Sequence, residues 1–338
     1  MSTFRRPELL RKTLAFIRNQ TFRNFEVVIS DNDPECSAES IVAEFRDPRF
    51  RYFPNKTNLG MVKSFNKSIE RSRGIFVVMS TDDDPVYPNM LQVLYDLSLR
   101  NPGYGMYSGG HDTVFTGLLQ AGMAKARVGT NSALCDLELG AEKVFPATEF
   151  SQVFMDGTVG GSMLWSTCVV RRDIALTIGG MPDYGSPHLA DCGFMLLSGT
   201  KTGCVYVNTS LGYRTIHDAN YSYSEANYES IYTAPGAFYE WILGRMPPAM
   251  NNPQFQQLLA NYVGRDLTVV VISIKKMLMM QHIKSDKFED FRRRIFLLPF
   301  FRRWKRKYFV AVHYPNLFRL YLDIRQMIFP PPQKEAGI

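Results

Sequence analysis

From residue 7 to residue 19, Leu9, Leu10, Thr13, Leu14, Phe16 and Ile17 recur at the spacing of one helix face, and Pro7 suits a first helical turn, so the pattern predicts a helix there. Residues 25–30 (FEVVIS) form instead a short unbroken apolar run rich in β-branched side chains, ending at Asp31-Asn32-Asp33-Pro34. That is the pattern of a buried strand entering a turn. The alternation continues with a helix over 37–45, a strand over 50–53 and a turn at Asn58-Leu59-Gly60 that opens a helix over 61–72. A third apolar strand over 75–80 (IFVVMS) stops at Thr81-Asp82-Asp83-Asp84-Pro85. Strands alternating with helices at this pace predict an α/β fold with a mostly parallel sheet and flanking helices. In such sheets ligands sit beyond the carboxyl ends of the strands, so the acidic turns at Asp31 and at Asp82, Asp83 and Asp84 are expected to line one crevice.

The middle of the chain, residues 104–220, is richer in Gly, Thr and Ser, with a loop region expected over 109–144. From residue 228 the pattern turns helical and ends in a Pro-rich tail at 330–332. Three parts are expected: 1–100, 101–225, and a helical, basic and aromatic region over 226–338.

At 338 residues, 45% hydrophobic and 21% charged, the chain has the composition of a globular protein and can bury a full core, which excludes a disordered or collagen-like chain. The net charge of +7 favours anionic partners, nucleotides and acidic headgroups among them. Many of the basic residues lie after Lys275. Residues 288–309 interleave Arg and Lys with Phe, Leu, Trp and Tyr, a composition suited either to a helical appendage with snorkelling cations or to contact with an anionic membrane surface. Cys36, Cys135, Cys168, Cys192 and Cys204 are odd in number and widely spaced, and are expected to be reduced thiols of a cytoplasmic protein. No apolar run reaches the roughly 18 residues of a spanning helix.

Three consecutive aspartates at a strand end repel one another unless a cation is near, and hard carboxylate oxygens suit Mg²⁺ or Mn²⁺ bridged to phosphates. A solvated turn capping the next helix would use the same residues. Asp31-Asn32 has the same duality: an Asx turn, or an acceptor for a nucleobase imide.

Taken in order, Thr3-Phe4-Arg5-Arg6, Gln20-Thr21, the run from Phe25 to Asn32, Asn58-Leu59-Gly60 and the run from Gly74 to Asp84 resemble the family 2 glycosyltransferases of GT-A fold. The resemblance implies an inverting enzyme that transfers a sugar from a nucleotide sugar, by family frequency a UDP-sugar, to a glycan or lipid-linked acceptor in surface-polysaccharide assembly. It further implies that Phe4 and Arg6 lie near the nucleotide, that Asp31 contacts the base, and that Asn58, Gly60 and Lys63 lie along the ribose and phosphates. The family's metal-binding acidic motif falls on Thr81-Asp82-Asp83, which makes Asp83 the preferred Mn²⁺ or Mg²⁺ ligand, with Asp82 and Asp84 in support. Gly179-Gly180 followed by His188-Leu189-Ala190-Asp191 resembles the helix start that carries the family's general base, here Asp191. In the island Tyr213-Arg214-Thr215-Ile216-His217, Arg214 is expected to neutralise leaving-group charge and His217 to complete the metal shell. The loop region over 109–144 is expected to act as a lid.

Two departures accompany the resemblance, and two competing readings stand beside it. Thr81 stands where the family usually has an Asp, and only two residues precede Thr3, where family members have a full strand. A nucleotidyltransferase would need a Gly-rich phosphate loop at the start, which residues 2–6 lack. A noncatalytic or nucleic-acid-binding module would account for the basic tail and leave the ordered acidic motifs unexplained.

Overall fold

The structure, a computed structural model, describes residues 1–116, 137–159, 163–217 and 220–314. Cys135, most of the expected lid loop and the Pro-rich tail lie outside the described residues.

The first half follows the apolar pattern closely. Helix α1 (Pro7–Arg18) buries Leu10, Thr13, Leu14 and Ile17, and Pro7 at its start sacrifices no helical hydrogen bond. Strand β2 (Val27–Asp31) is buried at every position, as an unbroken apolar run requires. It pairs in parallel with β1 (Ser2–Thr3) on one side and β3 (Phe50–Pro54) on the other, and α2 (Glu39–Glu44) crosses between β2 and β3. Helix α3 (Met61–Arg71) buries Val62, Phe65 and Ile69 on one face and stops at Ser72, whose backbone is extended. Burying each such apolar side chain stabilises the fold by about 1.5–3 kcal/mol.

The second sheet has the order β4 (Phe76–Val78), β7 (Cys168–Arg171), β5 (Met106–Phe115), β8 (Cys204–Ile216), β6 (Glu142–Phe145). Parallel pairing holds in the first sheet and between β5 and β8, whereas β7 runs antiparallel to both β4 and β5, and β6 antiparallel to β8. The α/β fold is therefore as expected, but parallel register does not extend to the strands of the Gly- and Ser-rich middle. Their local pattern carries no directional signal, and long-range pairing alone sets their direction. β1 is a strand of two residues, with the Met1 amino group donating to the Val28 carbonyl at 2.9 Å. An apolar cavity of about 480 Å³, lined by Met1, Val27, Val28 and Val77 among others, lies between β2 and β4.

Helices α4 (Met90–Arg100), α5 (Ala147–Asp156), α6 (Arg172–Thr177) and α7 (Ala190–Thr202) flank the sheets. The C-terminal helical region follows as α8 (Tyr228–Leu243), α9 (Pro253–Met280), α10 (Asp286–Leu297) and α11 (Lys305–His313). Asn252 caps α9 by accepting from the Phe255 N–H at 2.9 Å, and Ser285 caps α10 by accepting from the Phe288 N–H at 3.0 Å. This region is not a loose tail. Phe154, Phe238, Tyr262, Phe288, Phe291 and Phe301 belong to one buried cluster that joins α5, α8, α9 and α10. Gly264 lets α9 pack closely: a Cβ there would lie 2.1 Å from the Phe300 carbonyl oxygen and 2.6 Å from the Trp304 indole nitrogen. The described cysteines, Cys36, Cys168, Cys192 and Cys204, are free thiols.

Candidate active site

The first wall of the site is built where β1 and β2 end. Arg5 adopts φ 52°, a left-handed conformation unusual for a side chain with a Cβ, and is held by Asp33 at 3.2 Å and Glu35 at 3.3 Å. This local reversal lets both of its neighbours, Phe4 and Arg6, face a cleft of about 1540 Å³. At the end of β2, Asn32 reaches the turn before α3. Its Nδ2 donates to Asn58 Oδ1 at 2.7 Å, and its Oδ1 accepts from the Leu59 N–H at 2.8 Å. Gly60, at φ 79°, closes that turn by donating its N–H to Asn58 Oδ1 at 2.9 Å. Asn32, Asn58 and Gly60 all line the cleft.

Two expectations fail on this wall. Asp31 is fully buried and both its oxygens are engaged: Oδ1 accepts from the Asp33 N–H, and Oδ2 accepts from the Ala38 N–H at 3.0 Å and the Tyr52 hydroxyl at 2.8 Å. It closes the chain reversal, and the neighbour that alternation turns to the other face, Asn32, takes the cleft position. Lys63 is also turned away, pointing to solvent with its Nζ 3.8 Å from Asp183. One turn into α3, it lies on the face opposite the cleft-lining turn.

The acidic turn forms the centre. Thr13 Oγ1 donates to the Asp82 carbonyl at 2.9 Å and Thr3 Oγ1 to Asp82 Oδ2 at 2.9 Å, fixing the turn to β1 and α1. Strand β8 zips to its far side, with Tyr213 N–H on the Pro85 carbonyl at 3.0 Å and Thr215 N–H on Asp84 Oδ1 at 2.9 Å. That register brings residues 130 positions away to Asp83. Arg6 NH1 lies 3.0 Å from Asp83 Oδ2 and 3.4 Å from Asp82 Oδ1, and His217 Nε2 lies 3.4 Å from Asp83 Oδ2. Arg214 lines the same cleft.

Charge is crowded here. Burial first, then the neighbouring Asp83 charge, push the Asp82 carboxyl up to about 6 and Asp84 up to about 7. Asp83 goes the other way: burial would raise it, but the His217 hydrogen bond, the Arg6 charge and Thr81 more than offset this, and its pKa lies below the ordinary value. Asp83 is thus the carboxylate that stays charged, and it faces both Arg6 and His217. Asp84 lines the cleft as well, with its Oδ1 engaged by the Thr215 amide. Among the described residues, no three His, Cys, Asp or Glu side chains converge on one point. Asp83 and His217 fit a hard cation that takes most of its ligands from a diphosphate and water; Asp84, with one oxygen held by Thr215, would offer at most the other.

The opposite wall belongs to α7 and α9. Asn66 of α3 accepts from the Met181 N–H at 2.8 Å and donates to its carbonyl at 3.0 Å, anchoring the loop after Gly179 and Gly180. That loop leads to Leu189, at φ 66°, and α7 starts directly after it. Asp191 lies in the first turn of α7 and lines the cleft, where the helix dipole favours negative charge. From α9 come Tyr262, Arg265 and Asp266. Neither Asn32 nor this α9 contribution was assigned from the sequence. For α9 the available signal was an adjacent Arg265–Asp266 pair inside an otherwise apolar helix, which needs a polar cavity or partner when half-buried.

Residues 1–161 match the family model described as Glycosyl transferase family 2. The chain is 31% identical over 105 residues to a GalNAc(5)-diNAcBac-PP-undecaprenol beta-1,3-glucosyltransferase of Campylobacter jejuni, covering 30% of this chain and 33% of that protein. It is 23% identical over 107 residues to the Escherichia coli UDP-Glc:alpha-D-GlcNAc-diphosphoundecaprenol beta-1,3-glucosyltransferase WfgD, covering 32% of this chain and 42% of that protein. The chain thus matches these curated relatives over less than half of their length. Among solved structures, Staphylococcus aureus TarS 1-349 in complex with UDP aligns with TM-score 0.52 at 16% identity, over 87% of this chain and 88% of that one. The mannosyltransferase PcManGT from Pyrobaculum calidifontis, in complex with GDP-Man and Mn²⁺, aligns with TM-score 0.51 at 15% identity, over 94% and 86%. The chain has their GT-A-like α/β fold with a C-terminal helical region, and its residues 1–161 match glycosyl transferase family 2.

Proposed function

We propose that the cleft is the active site of an inverting glycosyltransferase that moves a sugar from a nucleoside diphosphate sugar, by default a UDP-sugar, to a hydroxyl of a glycan or lipid-linked acceptor in surface-polysaccharide assembly. The observation that carries this reading is that one cavity contains both ends of such a reaction: the acidic turn with Arg6 and Arg214, and Asp191 on the facing helix. The names of the Campylobacter and E. coli relatives, both undecaprenol-linked glucosyltransferases, and the UDP bound to TarS support the choice of donor and acceptor class.

In this reading residues 1–100 bind the donor, 101–225 receive the acceptor, and the region after 226 closes the acceptor side. Asn32, Asn58 and Gly60 shape the nucleoside end, where Phe4 offers an exposed ring to the base. Arg6 and Arg214 pair with the diphosphate. Asp83 and His217 would hold Mn²⁺ or Mg²⁺, whose chemistry when bound is to neutralise charge on the departing diphosphate. Asp191 takes the proton from the acceptor hydroxyl as its oxygen bonds to the anomeric carbon. The bond from that carbon to the diphosphate breaks on the opposite face, which inverts the configuration. The cytoplasmic face of a membrane fits as the place of action: Leu297 and Phe309 are exposed beside the exposed Lys287 and Arg293, while no helix among the described residues is long and apolar enough to cross a membrane.

The test is calorimetric titration of UDP, GDP and dTDP into the protein with Mn²⁺ and then with EDTA. Metal-dependent binding of one nucleotide is expected; no binding of any of them removes the donor-site reading.

A further inference from the structure

The acceptor wall contains a buried charge pair that the reaction just described leaves unused. His188 Nε2 lies 2.8 Å from Asp266 Oδ2, with the His188 side chain 8% and the Asp266 side chain 28% exposed. The pair joins the segment before α7 to the middle of α9. His188 is fixed on its other sides as well: its N–H donates to Ser186 Oγ at 3.2 Å, and its carbonyl accepts from the Tyr184 hydroxyl. Three residues further on, Asp191 lines the same cleft as His188 and Asp266.

The charged groups acting on this imidazole are Asp266 from α9 and Asp191 from α7; Tyr184 in the loop before α7, Cys192 of α7 and Tyr262 of α9 are the titratable groups of the surrounding wall. Burial and the nearby carboxylates push Tyr184, Cys192 and Tyr262 upward, so these three are neutral near pH 7. Asp191 and Asp266 line the same wall of the cleft, and His188 is the basic side chain that contacts Asp266 there. Arg265, next in sequence, is committed elsewhere, donating to the carbonyls of Met155 and Asp156. Burial by itself would lower the His188 pKa. The Asp266 carboxylate, with a smaller contribution from Asp191, more than offsets that, and the net direction is upward.

We propose that His188, fixed by Asp266 of α9, is a positioning residue that serves as the counter-cation of Asp191. This rests on the reading of Asp191 as the acceptor-activating base. The pairing makes the helical region part of the active site, since the group that orients the imidazole is carried by α9 and lies outside the family-matched segment.

The experiment is an NMR titration of the His188 imidazole in the full ¹⁵N-histidine-labelled chain, in wild type, Asp266→Asn and Asp191→Asn. UDP binding with Mn²⁺ serves as the folding control. Removing a carboxylate that faces an imidazolium lowers its ionisation midpoint. Asp266→Asn is expected to reduce the proton affinity of His188 roughly tenfold or more, and Asp191→Asn roughly two- to threefold. Coupling between two sites is reciprocal, so the second change equals the support that His188 gives the Asp191 charge. His188→Gln is expected to slow UDP release from the nucleotide sugar by at least that two- to threefold factor at unchanged UDP affinity, with Asp266→Glu retaining more activity than Asp266→Asn. An imidazole unmoved by Asp191→Asn, in a chain whose Asp191→Asn variant is inactive, would overturn the counter-cation role alone. Transfer retained by Asp191→Asn would overturn the base reading and this role with it.

Discussion

Replacing Asp83 by Asn separates a metal ligand from a structural carboxylate, because the two roles predict opposite effects on the protein without metal. Asp82 and Asp84 are raised from 3.8 to about 6 and about 7, burial being the larger cause and the Asp83 charge the next. If removing that charge returns about one pH unit to each, relief amounts to about 1.4 kcal/mol per group at full ionisation and still about 1 kcal/mol per group at pH 7. Against this stands the lost ion pair with Arg6, whose side chain is 37% exposed, worth no more than about 1 kcal/mol. The relief is the larger of the two, so Asp83→Asn is expected to leave the metal-free melting temperature at pH 7 unchanged or to raise it by a few degrees. Donor binding behaves differently: Asp83 is the charged carboxylate presented to the cleft, and its loss is expected to weaken Mn²⁺-dependent UDP binding by at least about 100-fold. Differential scanning fluorimetry in EDTA and calorimetry with Mn²⁺ and UDP read the two quantities separately. A fall of many degrees in EDTA together with undiminished metal-dependent UDP binding would refute the assignment and make Asp83 a clamp for Arg6 and His217.

Three further outcomes follow from the same geometry. Asp191→Asn is expected to keep UDP affinity within about twofold and to lose transfer by about 10²–10⁴-fold, read as UDP release; equal loss of binding would contradict the division between donor and acceptor walls. The raised Asp82 and Asp84 carboxyls bind protons more tightly folded than unfolded, so their contribution is fully present below about pH 4 and is lost as pH rises through 6 and 7. Metal-free protein is therefore expected to gain from these two groups on acidification from pH 7.5 to 5.5, and Mn²⁺ with UDP to flatten that trend, in melting curves taken with and without EDTA. Gly264→Ala places a methyl against the Phe300 carbonyl and the Trp304 ring, and a cost of about 1–3 kcal/mol is expected in chemical denaturation, with protease sensitivity appearing first in α11.

The sequence by itself determined the α/β class and the helices and strands between residues 7 and 80 to within a few positions, and its motifs already resembled one family. Those elements are written in local periodicity, and the motifs sit at strand ends where backbone geometry leaves little freedom. Tertiary structure alone decided which side chain of each motif meets the cleft. In Asp31-Asn32, adjacent residues of a strand point to opposite faces, so a shift of one position exchanges the buried turn-former for the cleft residue. For Asp83 and Asp84 the difference comes from β8, whose Thr215 amide engages one Asp84 oxygen while His217 reaches Asp83. The His188–Asp266 pair was invisible for the same reason: its partners lie 78 residues apart and meet only through the packing of α9, which lies against α5 and α8. Periodicity records which face of an element is buried, and only packing records what that face is buried against.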